Sequence, residues 1–159
     1  MFSSLLLNKN QKLVNKWTKE HEQMVSLANK VLAEHAKNNP KKAKKLLKKL
    51  TDITVDHVTH ENIEFFKLLR DEERVSVKSK KDTEAFVNTF KETKNSLIQF
   101  LAKYNKKGAI LDDDFLNTLT QILDILSERI KYEEENLYQT LYYGEQMDLF
   151  WNSNKKTFL

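Results

Sequence analysis

Three residues constrain this chain more than any others, because they are its only proline and glycines: Pro40, Gly108 and Gly144 in 159 residues. β-Structure needs frequent turns, and turns draw on glycine and proline, so a chain this poor in both is expected to run in long helices. The weaker punctuation divides it further. Asn38-Asn39-Pro40 ends one segment and begins the next, with proline suited to a first helical turn. The charged stretch from Arg70 to Asp82 reads as a connection, with Asp82 or Thr83 capping the third segment. Asn105-Lys106-Lys107-Gly108 closes that segment. Asp112-Asp113-Asp114 caps the fourth and sets negative charge at its positive end, and Gly144 ends it.

Within each segment apolar residues recur at alternating steps of three and four, so one helix face is buried. The first helix, about 8–37, carries Val14, Trp17, His21, Met24, Ala28, Val31 and His35 on that face. The second, about 41–70, carries Ala43, Leu46 or Leu47, Leu50, Thr54, His57, Glu61, Glu64 or Phe65, and Leu68. The third, about 82–106, carries Thr83, Val87, Phe90, Lys94, Leu97, Leu101 and Tyr104. The fourth, about 114–143, carries Phe115, Leu119, Ile122, Leu126, Arg129, Glu133, Leu137 and Leu141. Four such helices with short connections make an all-α, up-down antiparallel four-helix bundle. Residues 1–159 read as a single domain of this kind, large enough for a core without staples, with 145–159 a C-terminal tail.

Composition removes several function classes. There is no cysteine, which excludes disulfides, thiolate metal sites and cysteine nucleophiles. A net charge of +4 does not by itself imply nucleic acid, and none is expected as a partner. The apolar start Met1-Phe2-Ser3-Ser4-Leu5-Leu6-Leu7 lacks a basic lead and is too short for a signal peptide. No stretch approaches the roughly 20 apolar residues of a membrane span, so the expected location is cytoplasmic. No Ser-His-Asp order or phosphate-cradling glycine loop is visible, and an enzyme is not expected.

The apolar stripes are interrupted. His21, His57, Glu61, Lys94, Arg129 and Glu133 all fall on core positions near the middle of their helices. At about 1.5 Å rise per residue, antiparallel helices bring these six into one layer to within about a turn. Buried charge is costly unless it pairs or binds a metal. All four histidines, at 21, 35, 57 and 60, lie in the first 60 residues. His57 and Glu61 stand four apart on one helix face, so both can reach a single ion, and imidazole with carboxylate suits iron, manganese or zinc.

With these residues in this order, the chain resembles the hemerythrin-like HHE cation-binding domain. His57-Val-Thr-His-Glu61-Asn-Ile-Glu-Phe65-Phe66 and Arg129-Ile-Lys-Tyr-Glu133-Glu134-Glu135-Asn-Leu137-Tyr138 both follow the family's H-x-x-x-E-E-x-x-L-F pattern. The second has arginine in place of histidine, and the first has Asn62 in place of the second glutamate. Trp17-Thr-Lys-Glu-His21-Glu resembles the family's first ligand segment. The resemblance spans residues 10–142. It implies one iron held by His21, His57 and the bridging glutamates Glu61 and Glu133. The family's second iron uses histidines on the third and fourth helices, where this chain has Lys94 and Arg129, so a standard diiron site and a diiron redox enzyme are not expected. Lys94 and Arg129 would then replace the second metal's charge.

Two readings stay open at this point. Either a single metal ion, iron first, sits among His21, His57, Glu61 and Glu133 in a sensing, binding or iron-handling protein, or no metal binds and the bundle is a protein-interaction module. In the second reading two glutamates against two cations already sum to zero, and arginine grips carboxylates bidentately. His60 with Glu64 repeats the same spacing one position round the helix, as an alternative ligand pair or a support outside the ligands. His35 reads as a boundary residue near a helix C-terminus, and the lysine run Lys41 to Lys49 as a solvated face. Of Glu133-Glu134-Glu135, only Glu133 is expected to point inward. Leu149, Phe150, Trp151 and Phe158 in the tail either pack back on the bundle or dock on a protein partner or a second copy.

Overall fold

The computed structural model describes residues 7–70 and 77–143. Within these it does not describe the side chains at 65, 66, 68–70, 77–80, 82, 83, 86, 87, 89, 90, 140, 141 and 143. The expectations for Phe65, Leu68, Thr83, Val87, Phe90, Leu141, Gly144 and the aromatic tail therefore lie outside the described residues.

Four long helices follow one another: α1 (Lys9–Ala36), α2 (Pro40–Arg70), α3 (Val77–Tyr104) and α4 (Asp113–Tyr132). A five-residue π-helical turn, Glu133–Leu137, joins α4 to the short α5 (Tyr138–Tyr143). Local chemistry sets most boundaries. Asn8 and Gln11 form a reciprocal capping box at the start of α1. At its end Asn38 takes a left-handed φ of 57°, Asn39 N–H donates to Glu34 O at 2.9 Å and Asn38 N–H to His35 O at 3.0 Å. That is the double bond of a Schellman motif, with asparagine tolerating the conformation glycine usually supplies. Pro40 then opens α2, where its missing N–H costs nothing. Asp112 caps α4 by accepting from Phe115 N–H at 2.9 Å.

Two boundaries differ from the sequence expectation. α3 begins at Val77, so the stretch Arg70–Asp82 is not a connection throughout. It holds no glycine or proline, and Lys78, Lys80 and Lys81 are adequate helix formers, so nothing in its second half stops a helix. The fourth helix is not one regular helix over 114–143, because the π turn interrupts it.

The helices alternate in direction. Between α1 and α2, Glu34 pairs with Lys42 and His21 with His57: one index falls as the other rises. Asn105 to Thr51 and Lys94 to Glu61 do the same for α2 and α3. His35 to Leu111, His21 to Glu134 and Gln11 to Tyr142 do so for α1 and the last segment. The bundle is antiparallel, and its described residues hold no strand.

Among the described residues the apolar interior forms two clusters. A large cluster fills the end with the α1–α2 and α3–α4 links and includes Met24, Val31, Leu47, Phe100, Leu101 and Phe115. A smaller one, Val14, Trp17, Leu137 and Tyr138, lies toward the other end. Each fully buried large side chain contributes about 1.5–3 kcal/mol. Between the clusters lies a layer of buried polar residues: His21, His57, Glu61, Lys94, Arg129 and Glu133, none more than 8% exposed. No helix of the described residues is long and apolar enough to cross a membrane.

Candidate metal centre

α1 places His21 between Trp17 and Met24, and α2 places His57 and Glu61 one turn apart on the facing side. The two imidazoles meet Nε2 to Nε2 at 2.9 Å. Glu61 Oε2 lies 3.1 Å from His57 Nε2, and Glu133 Oε2 lies 3.2 Å from His21 Nε2. One donor atom from each of these four buried residues falls within 4.8 Å of all the others.

The far side of each ring decides what those nitrogens are. His21 Nδ1 lies 3.0 Å from Glu134 Oε1, and His57 Nδ1 lies 2.7 Å from Glu20 Oε2. An ionised carboxylate only accepts, so each Nδ1 carries the proton and donates it. In neutral rings both Nε2 atoms then present lone pairs to the centre, beside two carboxylate oxygens. Four acceptors converging in a buried space need a cation or a proton among them. Outer carboxylates that fix a ring in this way are what metal-ligating histidines normally have.

Spacing fits an ion. Two ligands each about 2.1 Å from a metal are about 3.0 Å apart at a right angle and about 3.4 Å apart at the tetrahedral angle. The observed 2.9, 3.1 and 3.2 Å match that range. A space of about 20 Å³ borders these four side chains together with Lys94, Arg129 and apolar neighbours such as Met24 and Leu97. That exceeds the roughly 10–15 Å³ that one water-sized sphere requires.

Arg129 occupies the opposite side of both glutamates. Its Nε donates to Glu133 Oε1 at 2.5 Å and its Nη2 to Glu61 Oε1 at 3.3 Å. The Oε1 atoms thus belong to the guanidinium, and the Oε2 atoms remain for the histidine side. Lys94 lies farther off, with Nζ 4.0 Å from Glu61 Oε1, and donates closely to Asn62 Oδ1. Burial lowers the Lys94 pKa to about 8, helped by the Arg129 cation and opposed by Glu61 and Glu133. Burial pushes Glu61 up, but the His57 hydrogen bond and the charges of His57, Arg129 and Lys94 outweigh it and hold the carboxyl well below the usual range. Burial pulls His21 down, and the bonds and charge of Glu133 and Glu134 more than reverse this.

Several expectations change. His60 is exposed, and Glu64 reaches Lys67 at 3.3 Å, so this pair neither ligates nor supports the centre. The supports are Glu20 and Glu134. Glu134 was expected to face water, yet it is half-buried against His21, while Glu135 is exposed. Glu134 is the second glutamate of the H-x-x-x-E-E pattern, and Asn62 occupies the equivalent place in α2, where it takes Lys94 instead of a histidine. That pairing was readable in the motif; Glu20 had no signal beyond its place beside His21. The charge balance changes as well. With both imidazoles neutral, Glu20, Glu61, Glu133 and Glu134 set four carboxylates against Lys94 and Arg129, a net of minus two rather than zero. Lys16, 3.7 Å from Glu20 and well exposed, offsets little of this. His35 is more than a boundary residue: its Nε2 donates to Leu111 O at 3.0 Å and ties the α3–α4 link to α1.

The hemerythrin HHE cation-binding domain model matches residues 12–141, most of the chain. The protein belongs to that family. No curated protein and no solved structure matches it. The match covers His21 on α1, His57 and Glu61 on α2 and Glu133 in the π turn, the four residues of this hemerythrin-like chain whose donor atoms could hold a metal ion. Tyr138 is a member of the site that periodicity missed. Its hydroxyl donates to Glu61 Oε2 at 2.6 Å and lies 3.3 Å from His21 Nε2.

Proposed function

We propose that this hemerythrin-like protein binds one divalent metal ion, iron first, through His21, His57, Glu61 and Glu133, in a sensing, binding or iron-handling role. The observation that carries the reading is the commitment of both Nδ1 atoms to carboxylates, which turns both Nε2 lone pairs toward one point 2.9 Å across. With Glu20 and Glu134 counted beside the layer and both imidazoles neutral, the charge is minus two, which supports the reading, since a dication brings the sum to zero. Two imidazoles with two carboxylates suit iron, manganese or zinc, and the family resemblance favours iron. In this reading Arg129 stands in the second metal's place by donating to the outer oxygens of Glu61 and Glu133, and Lys94 adds its charge 4.0 Å from Glu61.

A metal-free bundle is the second reading, and His21 favours it: its raised pKa allows a proton to stand between the two rings instead of a metal. Such a bundle would serve as an interaction module. Metal analysis of protein purified without chelator separates the two. About one equivalent of iron, manganese or zinc per chain, lost in His57→Ala, supports the first reading. Protein that stays folded and metal-free through anaerobic reconstitution with Fe(II) supports the second.

A further inference from the structure

We infer that Tyr138 is a fifth donor of this centre, its phenol oxygen taking the place on a bound ion that water or a small ligand would otherwise hold. The inference rests on the one-metal reading. The oxygen lies 2.6 Å from Glu61 Oε2 and 3.3 Å from His21 Nε2, two of the four atoms that face the centre. It thus extends the same shell of donors. The shorter distance is that of a hydrogen bond, with the phenolic proton between the oxygens. This hydroxyl is aimed at acceptors alone, in the position where a cation would replace its proton.

The backbone shows that the placement is built. On an α-helix Tyr138 would point about 140° away from Glu133, five residues on. The π turn changes this. Tyr138 N–H bonds to Glu133 O across five residues, and both side chains lie buried on the site. Single π turns of this kind are frequent at functional sites. The ring is also fixed. Tyr138 is 1% exposed, stacks on His21 at 5.6 Å and 10°, and tilts against Trp17 at 5.5 Å. Its hydroxyl cannot swing to solvent without breaking that packing. A hard trivalent cation prefers such an oxygen donor. When Fe(III) binds there, an oxygen–iron bond forms, the O–H bond breaks and the proton passes to solvent. No electron is transferred.

The test loads the full chain with one equivalent of Fe(III), supplied as ferric citrate, and reads bound iron and visible absorption separately. The wild type is expected to bind one iron and show a phenolate-to-iron charge-transfer band, with resonance-enhanced phenolate ring vibrations. Tyr138→Phe is expected to keep the iron, because the other four donors remain, and to lose the band. Tyr142→Phe, against the Trp17 cluster and off the centre, keeps both. Wild-type protein that binds iron without the band, or a Tyr138→Phe variant that retains it, overturns the inference and leaves the one-metal reading standing. Wild-type protein that binds no Fe(III) overturns the inference, and the one-metal reading then falls only if the chain also stays metal-free through reconstitution with Fe(II). The ring vibrations are read on the wild type alone, so the test does not depend on the variant folding.

Discussion

His21 and His57 face each other Nε2 to Nε2 at 2.9 Å, on neighbouring antiparallel helices, with each Nδ1 bonded to a carboxylate from a different helix. Glu134 of the π turn holds the α1 histidine, and Glu20 of α1 holds the α2 histidine. Three segments are thereby tied through two rings. The rings cannot turn their lone pairs away without giving up the bonds behind them.

The outer carboxylates set affinity, not capacity. In Glu20→Gln and Glu134→Gln an amide replaces the carboxylate, the ring is held less firmly and the ligating nitrogen becomes less basic. Each change is expected to weaken metal binding by about 10–100-fold while the limit at saturation stays at one ion. Competition against a chelator of known affinity gives the first quantity and metal content at saturation the second. A fall in the saturating stoichiometry would place Glu20 or Glu134 among the ligands themselves.

Much of this arrangement was legible from spacing, and the rest shows where spacing stops. Val14, Trp17, His21, Met24, Ala28 and Val31 follow the three-four period and all are buried. So are Thr54, His57 and Glu61 on α2 and Arg129 and Glu133 on the last segment. The polar residues were conspicuous because they broke an otherwise apolar stripe. Glu20 and Glu134 sit one residue off the stripe, on the shoulders of their helices. The period assigns such positions to water, and only the angle between packed helices lets their side chains reach inward. Tyr138 was hidden for a different reason, since its inward position depends on a π turn that no spacing rule announces. The early start of α3 was missed because helix propensity acts through many small contributions and leaves no single marker.

Arg129 pairs with both Glu61 and Glu133, so its loss should matter most without metal. Arg129→Met takes from the buried Glu61 and Glu133 the guanidinium they share and leaves Lys94 as the nearest permanent cation, which is expected to cost about 3–5 kcal/mol in the metal-free protein at neutral pH. Added metal should recover a large part of that. Denaturant unfolding with and without one equivalent of Fe(II) measures both. The companion change restores nitrogen ligands instead of charge: Lys94→His with Arg129→His is expected to raise saturating metal content from one toward two. Content that stays at one would show that these positions do not mark the family's second site.

The Glu34–Lys42 pair should give the link between α1 and α2 a dependence on acid. The hydrogen bond from Lys42 at 3.0 Å, with the Lys42 and Lys37 charges, lowers the Glu34 pKa from 4.5 against the opposing effect of burial. A carboxylate lowered in the folded state binds fewer protons than in the unfolded one. Its stabilising share is therefore complete above about pH 4.5 and is lost as pH falls through the lower folded value. Lys42→Met should be less stable than the wild type at pH 7 and converge with it in acid. Lys42 is largely exposed, so salt should narrow the gap as well. A difference unchanged by pH and salt would assign the effect to packing of the lysine stem.

Phe115 offers a way to destabilise the bundle without touching the centre. It is fully buried at the start of α4, stacks on Phe100 at 5.5 Å, meets Tyr104 edge-on at 4.9 Å and packs against the His35 ring. Phe115→Ala removes those contacts and leaves a cavity at the end of the core remote from Trp17 and Tyr138. The expected cost is about 3–5 kcal/mol. For a chain of this length that is a fall in Tm of roughly 6–20 °C. Metal content should stay unchanged below the new transition, because the ring's aromatic neighbours Phe100, Tyr104 and His35 all lie outside the His/Glu layer. Thermal unfolding paired with metal analysis tests the separation. Metal lost in proportion to stability, well below the transition, would mean that the apolar end and the polar layer form one cooperative unit, and that the four donors need the whole bundle closed around them.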